Sequence, residues 1–352
     1  MHSRKESTRF YSPSHRSSIS LSPTTPTSPG YGPHDVAPGD GSSEAQALRK
    51  AMKGLGTDED TLIDILAYPD PFQMALIRHT YEGMFRRSLE RDIKSDTSGI
   101  FQTALVNLAG GPLGNDIYRL HDSFPMIGTI TDAQKVVDVI AGRSNADLQA
   151  IKTGYANRYG NALIEKVRRK MDGDVGRLCV MLLDCNRPEN VCRFEWQGVE
   201  ADAQLLHGVM ADKKADRMEV CRVFVQSSDE RLKAIAAVFE SRFGISLQQS
   251  IGENIRGYLG SALLMMLVNA QDPAAHMAAL VMSVLPTHRI TQTLDYKRIV
   301  YLLVRFHWDR TNFEQAKQRV VEQSGLSLRT ELRSAVISGD AQTLLLKLYD
   351  GL

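Results

Sequence analysis

The chain has 352 residues, of which 43% are hydrophobic and 24% charged, enough to bury a sizeable core in one large or two ordinary domains. A formal net charge of +1 argues against nucleic acid as a partner, because domains that bind it carry a clear basic excess. The four cysteines (Cys179, Cys185, Cys192 and Cys221) lack CxxC spacing and no secretory signal precedes them, so free thiols in the cytosol are expected. No apolar run approaches the roughly 18 residues of a membrane span, and His2 after Met1 excludes the usual myristoylation signal. Any membrane contact is therefore expected to be peripheral.

Residues 1–43 are rich in Ser, Thr, Pro and Gly and poor in aliphatic residues, which predicts a disordered tail. Ser12, Ser22, Thr25 and Ser28 each precede a proline, a pattern that suits proline-directed phosphorylation or a passive linker. Beyond Glu44 the acidic and basic residues balance, and apolar residues recur at spacings of three and four in short bursts.

The first burst breaks in "KAMKGLGTDEDTLIDILA" (Lys50 to Ala67), where two glycines stand within three residues at the end of a helical pattern. The last carbonyls of a helix have no intrahelical partner and carry the negative end of its dipole. Gly54 and Gly56 allow positive φ, so the chain can turn back and aim successive carbonyls at one spot. Hard oxygens in flexible geometry suit Ca2+, which also needs a carboxylate. Forty residues beyond Gly56, in "RDIKSDTSGIF", Asp96 stands at another helix junction and can supply it.

The cadence returns in "GRSNADLQAIKTGYANRYGNALIEKV" from Gly142, "QSSDERLKAIAAVFESRFGISLQQSI" from Gln226 and "RTNFEQAKQRVVEQSGLSLRTEL" from Arg310. With "PFQMALIRHTYEGMFRRSLERDI" from Pro71 this makes four copies of a unit about 70–80 residues long. Such repeats bury their apolar faces on one another, so the fold class is all-α. The expected boundaries are 1–43 for the tail, then repeats at 44–110, 111–185, 196–270 and 271–352.

"MKGLGTDEDTLIDIL" followed by "KSDTSGIF" resembles the first repeat of the annexins, and the four-repeat length fits that family from residue 44 to 352. "GGPLGND" and "VRFHWDR" look like its fungal branch. The resemblance implies four repeats of about five helices in a curved disc that binds acidic phospholipid membranes through Ca2+. It implies ligands from the carbonyls of Met52, Gly54 and Gly56 and the carboxylate of Asp96, with Thr57 and Glu59 at a weaker second site. Lys53 and Leu55 at the tip of the turn would meet lipid headgroups.

The other repeats depart from this pattern. "PMIGTITDAQ" (Pro125 to Gln134) keeps Gly128 and Thr129 but is expected to carry two inserted residues, and Lys170 stands where the acid belongs. "ADKKADRMEV" (Ala211 to Val220) has Lys213 and Lys214 in the loop and Asn254 in place of the acid, and "SVLPTHRITQ" (Ser283 to Gln292) has no glycine and no placeable acid near Ala335. Three sites are thus expected to be lost, leaving Lys170, Lys213, Lys214, His288 and Arg289 for direct attraction to anionic headgroups. Self-association on the membrane would restore avidity.

"DGDVG" at Asp172 fails the EF-hand spacing, and "GGPLGND" lacks the ending of a phosphate-cradling loop. No GxSxG, HExxH or Cys–His arrangement supports an enzyme. His207, His276 and His307 are expected to pack or cap, and Asp138 and Arg143, which match channel-lining positions of the family, to serve in structural pairs. The rival reading is a calcium-independent scaffold that binds cytoskeletal or trafficking proteins through its tail.

Overall fold

A computed structural model of the protein describes residues 25–54, 56–124, 130–189, 196–285, 294–334 and 339–351. Among the described residues there are twenty α-helices and no strand, the all-α class the periodicity predicts. The first five are α1 (Ser42–Ala51), α2 (Glu59–Leu66), α3 (Pro71–Phe85), α4 (Leu89–Asp96) and α5 (Gly99–Ala109). The second set is α6 (Gly111–Ser123), α7 (Ala133–Ile140), α8 (Asn145–Tyr159), α9 (Leu163–Lys170) and α10 (Gly173–Leu183). The third is α11 (Val199–Ala211), α12 (Met218–Val225), α13 (Asp229–Phe243), α14 (Leu247–Asn254) and α15 (Gly257–Gln271). The fourth is α16 (Pro273–Met282), α17 (Tyr296–His307), α18 (Arg310–Ser324), α19 (Leu328–Ser334) and α20 (Asp340–Asp350).

The long third helix of each set shows how local chemistry fixes the elements. Asp70 caps α3 in a capping box, accepting the Gln73 N–H while its own N–H donates to the Gln73 side chain, and Pro71 occupies the first helical position. Ser144 and Ser228 cap α8 and α13 in the same place. At the far end Gly160, Gly244 and Gly325 take left-handed φ of 66–69°, while in the first set Arg86 is forced to φ 52°.

The second and fifth helices carry the core. Residues 104–109 of α5 and 299–304 of α17 are buried almost without interruption, since these helices are covered on all sides. Helix α5 packs on α17, and α7 packs on α15. The chain's ends also meet: α20 lies against both α5 and α2, with Lys347 of α20 reaching Asp64 of α2 at 2.5 Å.

One buried carboxylate ties the second set to the fourth. Asp138 of α7 is wholly buried and takes Arg119 of α6 at 3.0 Å and both Nε and Nη2 of Arg298 of α17 at 3.0 Å. Gln134 adds a donor at 2.8 Å, and Arg305 donates to the Asp138 carbonyl. Arg143 instead pairs with Asp116 at 2.6 Å, and the Tyr301 hydroxyl, 2.9 Å from Asp116 and 3.4 Å from the Asp138 carbonyl, links the two acids into one network.

The expected tail is partly ordered. Residues 1–24 lie outside the described residues, but the stretch that follows is a strap across the second set. Thr25 N–H donates to Glu189, and the Ser28 N–H and hydroxyl donate to the two oxygens of Asp147 at 2.7 Å each. Tyr31 is 4% exposed, its hydroxyl donates to Asp116 at 2.5 Å, and the Arg143 guanidinium stands 5.2 Å from its ring. A single aromatic residue with buried carboxylates waiting for it outweighs the disorder-prone composition around it. Tyr31→Phe should lower the stability by about 1.5–3 kcal/mol, the worth of a buried hydrogen bond to a charged group, and a shift in the urea midpoint would measure it.

Two histidines are buried uncharged. Burial, with Arg305 and Arg143 nearby, pushes His276 down to about 3, and burial beside Arg310 does the same to His307. A depressed pKa means that the unfolded chain binds the proton first, so stability is full above about pH 6.5 and is lost as pH falls towards 3. By pH 5 each histidine should cost about 2 kcal/mol. Thermal unfolding between pH 7 and 5 should show that slope in wild type and a flatter one in His276→Asn/His307→Asn.

Candidate metal centre

The break after α1 is a closed turn. The Met52 N–H still donates to Leu48 and the Lys53 N–H to Lys50, and the Asp58 N–H returns to the Ala51 carbonyl at 3.0 Å. Between these anchors Gly54 has φ 125° and Gly56 φ 91°. A Cβ at either would meet nothing within 4 Å, so the backbone conformation, and not crowding, is what demands glycine. Met52 is buried and pins the turn to the core, while Lys53, Gly54 and Gly56 are exposed. Among the described residues no hydrogen bond engages the carbonyls of Met52, Gly54 or Gly56. Leu55 lies outside the described residues.

Asp96 ends α4 and comes to this turn. The Thr57 hydroxyl lies 2.8 Å from its Oδ2 and 3.0 Å from its main-chain oxygen. One turn earlier Asp92 locks α4 in place, bound by Arg87 at 2.6 Å, Tyr81 at 2.7 Å and Arg49 at 3.3 Å. The Arg87 guanidinium holds the Asp92 carboxyl below the usual carboxylate range against the opposing effect of burial. The free carbonyls of the turn and the carboxylate that Thr57 holds beside it are hard oxygens, a chemistry suited to Ca2+ and poor for softer metals. Thr57 is thus placed on Asp96, and Glu59 is half-buried at the start of α2.

The same hydroxyl contact recurs in the second set, made by Thr131 and not by Thr129. Thr131 donates to the Lys170 carbonyl at 2.9 Å, and 39 residues separate this pair as they separate Thr57 from Asp96. Asp132 caps α7 as Asp58 caps α2. The expected two-residue insertion is present: the Asp132 N–H returns to the Ser123 carbonyl, nine residues back, where the Asp58 N–H returns to Ala51, seven back, and Ile130, 93% exposed, precedes Thr131 where the first loop has Gly56 before Thr57. Residues 125–129 lie outside the described part, but Lys170 does stand where the acid would be.

In the third set Asp216 and Asn254 keep the spacing of Asp58 and Asp96, and Asn254 turns back to donate to Ser250 at 2.9 Å. Lys213 and Lys214 are exposed on the loop. The junction after the fourth helix is also held differently here. Gly176 and Gly260 let the carbonyls of Met171 and Ile255 press onto α10 and α15, where an added Cβ would lie 2.4 and 1.9 Å from those oxygens. The first set has Gln102 at that station, and its side-chain amide donates to the carbonyls of Thr97 and Lys94. Sequence reasoning passed over Gln102, although its spacing of six from Asp96 marks it. The fourth-set stretches at 286–293 and 335–338, with His288, Arg289 and Ala335, lie outside the described residues.

Comparison with known proteins supports the fold and its family. The family model described as Annexin matches residues 43–108, 116–182 and 201–266. Annexin C1 of Cryptococcus neoformans is 33% identical over 83% of this chain, which spans 61% of that protein's length. Annexin A5 of Rattus norvegicus is 30% identical over 68% of this chain and 74% of its own length. The structure of chicken annexin V superposes with a TM-score of 0.75 at 26% identity, covering 89% of this chain and 96% of the other. A shared fold, a matching family model and relatives at this level of identity place the chain in the annexin family, whose members are known for calcium-dependent phospholipid binding.

Proposed function

We propose that this annexin docks on acidic phospholipid through a single calcium ion in its first repeat. The ion is held by the carbonyls of Met52, Gly54 and Gly56 and the carboxylate of Asp96, and its open coordination positions take water and a lipid phosphoryl oxygen. The observation that carries this reading is the Thr57 hydroxyl at 2.8 Å from Asp96, which holds the carboxylate at the mouth of the glycine turn. The corresponding stations carry an ammonium at Lys170 and a self-capping amide at Asn254, and neither supplies the negative charge a calcium ion requires.

Lys53 and Leu55 at the tip, and Lys213 and Lys214 on the third loop, add attraction to anionic headgroups of about 1 kcal/mol per basic residue near the surface. One ion alone gives weak adhesion, and self-association on the membrane supplies avidity. The protein acts as a peripheral cytoplasmic binder and not as an enzyme, with repeats at 44–110, 111–185, 196–270 and 271–352. A protein partner engaging the tail would use the residues before Thr25 or displace the strap.

Co-sedimentation with phosphatidylserine vesicles, in chelator and across a calcium titration at physiological salt, tests the proposal. Binding should appear with calcium. Full binding in chelator would transfer the role to the basic loops, and no binding under any condition would leave the scaffold reading.

A further inference from the structure

A cavity of about 250 Å³ opens where α4, α5, α6 and α17 meet, lined by Lys94, Tyr118, Arg119, Asp122, Lys297 and Tyr301 among others. Nothing in the calcium reading uses it. Its wall holds three cationic side chains and one carboxylate, and that carboxylate, Asp122, is already engaged by Lys135 at 2.6 Å.

The cations are unevenly matched. Arg119 has a side chain only 4% exposed and spends Nη2 on Asp138 at 3.0 Å, but its Nε is buried with no hydrogen-bond partner. Such an orphan donor in a native core calls for an explanation, and an acceptor that binds there is one. Lys94 and Lys297 are exposed at the mouth, and among the described residues neither has a carboxylate within ion-pair distance. The Lys94 ammonium rests 5.5 Å from the centre of the Tyr118 ring.

The unfilled groups are donors with an excess of positive charge. A metal cation is repelled, and a neutral ligand leaves the lysines unanswered. A compact dianion with several acceptor oxygens answers all three, and the volume lies below that of typical pockets for drug-sized molecules. We propose that this cavity binds a phosphate monoester, with the Arg119 Nε–H at its floor and the Lys94 and Lys297 ammonium groups at its mouth. The group can come from a free phosphorylated molecule or from a monoester lipid headgroup.

The test uses the full chain in chelator throughout, so its outcome is independent of the calcium site. One arm titrates inorganic phosphate by calorimetry. The other compares sedimentation with phosphatidylcholine vesicles carrying equal fractions of phosphatidic acid, a monoester, or phosphatidylglycerol, a diester. Lys94→Gln/Lys297→Gln alters two exposed side chains, and its circular dichroism should match wild type. Phosphate should bind wild type at least about tenfold more tightly than the double variant. A preference for phosphatidic acid that the double variant loses identifies a lipid source, and lysine-dependent phosphate binding without that preference identifies a soluble one. Absence of lysine-dependent binding in both arms, or equal loss of both lipids in the variant, would overturn the proposal.

Discussion

Asp96→Ala should abolish calcium-stimulated sedimentation with phosphatidylserine vesicles over the normal calcium range, raising the calcium requirement by more than about 100-fold while leaving binding in chelator unchanged. The size follows from the donor set. Carbonyls contribute dipoles, and Asp96 is the one full negative charge that offsets dehydration of the ion. Loss of a residue that only orients a metal ligand commonly costs 10–100-fold in affinity, and loss of the ligand itself exceeds that. Thr57→Val supplies the orienting case, because it leaves the carboxylate in place but removes the hydroxyl 2.8 Å away. It should weaken calcium response by about tenfold. Since Asp96 is half-exposed, its replacement should change stability in chelator by no more than about 0.5 kcal/mol, so a folding defect would not explain the loss. Wild-type calcium response in Asp96→Ala would place the ion elsewhere.

Asp138→Ala has the largest expected effect on stability, a loss of about 3–5 kcal/mol. The aspartate is wholly buried, and its removal leaves Arg119 and Arg298 as guanidinium groups facing an empty place in the core. Arg119 is itself 4% exposed and cannot turn to water without disturbing α6. Asp138→Asn keeps shape and some hydrogen bonds, so it should fall between wild type and Asp138→Ala. Urea unfolding followed by both far-ultraviolet circular dichroism and tryptophan fluorescence measures the difference, and agreement of the two signals tests whether a single transition describes it.

The helical units and the glycine turn were legible because both depend on local rules: a period of 3.6, a cap, a residue without a Cβ. The pairing of the turn with Asp96 was legible through spacing and family resemblance. What escaped depends on contacts between distant residues. Tyr31 stands in a stretch whose composition reads as disordered, and only the fold shows that Asp116, 85 residues away, receives its hydroxyl. The longer second loop was legible, but the Gly128–Thr129 pair imitates Gly56–Thr57 in sequence, and only the contact from Thr131 to Lys170 shows which threonine takes the place of Thr57. Asp138 was recognised as a paired acid, but its partners on α17 lie 160 residues or more along the chain, beyond any local signal.

The contact of α20 with α2 and α5 makes the array a closed ring in place of an open stack. Linear repeat proteins need terminal units with a polar outer face and can lose or gain an internal unit at modest cost. Here the first and last repeats cover one another, so neither has to act as a cap. Deleting any one repeat would expose two apolar faces at once, and circular permutation at the loops between repeats should be tolerated better than a change in their number.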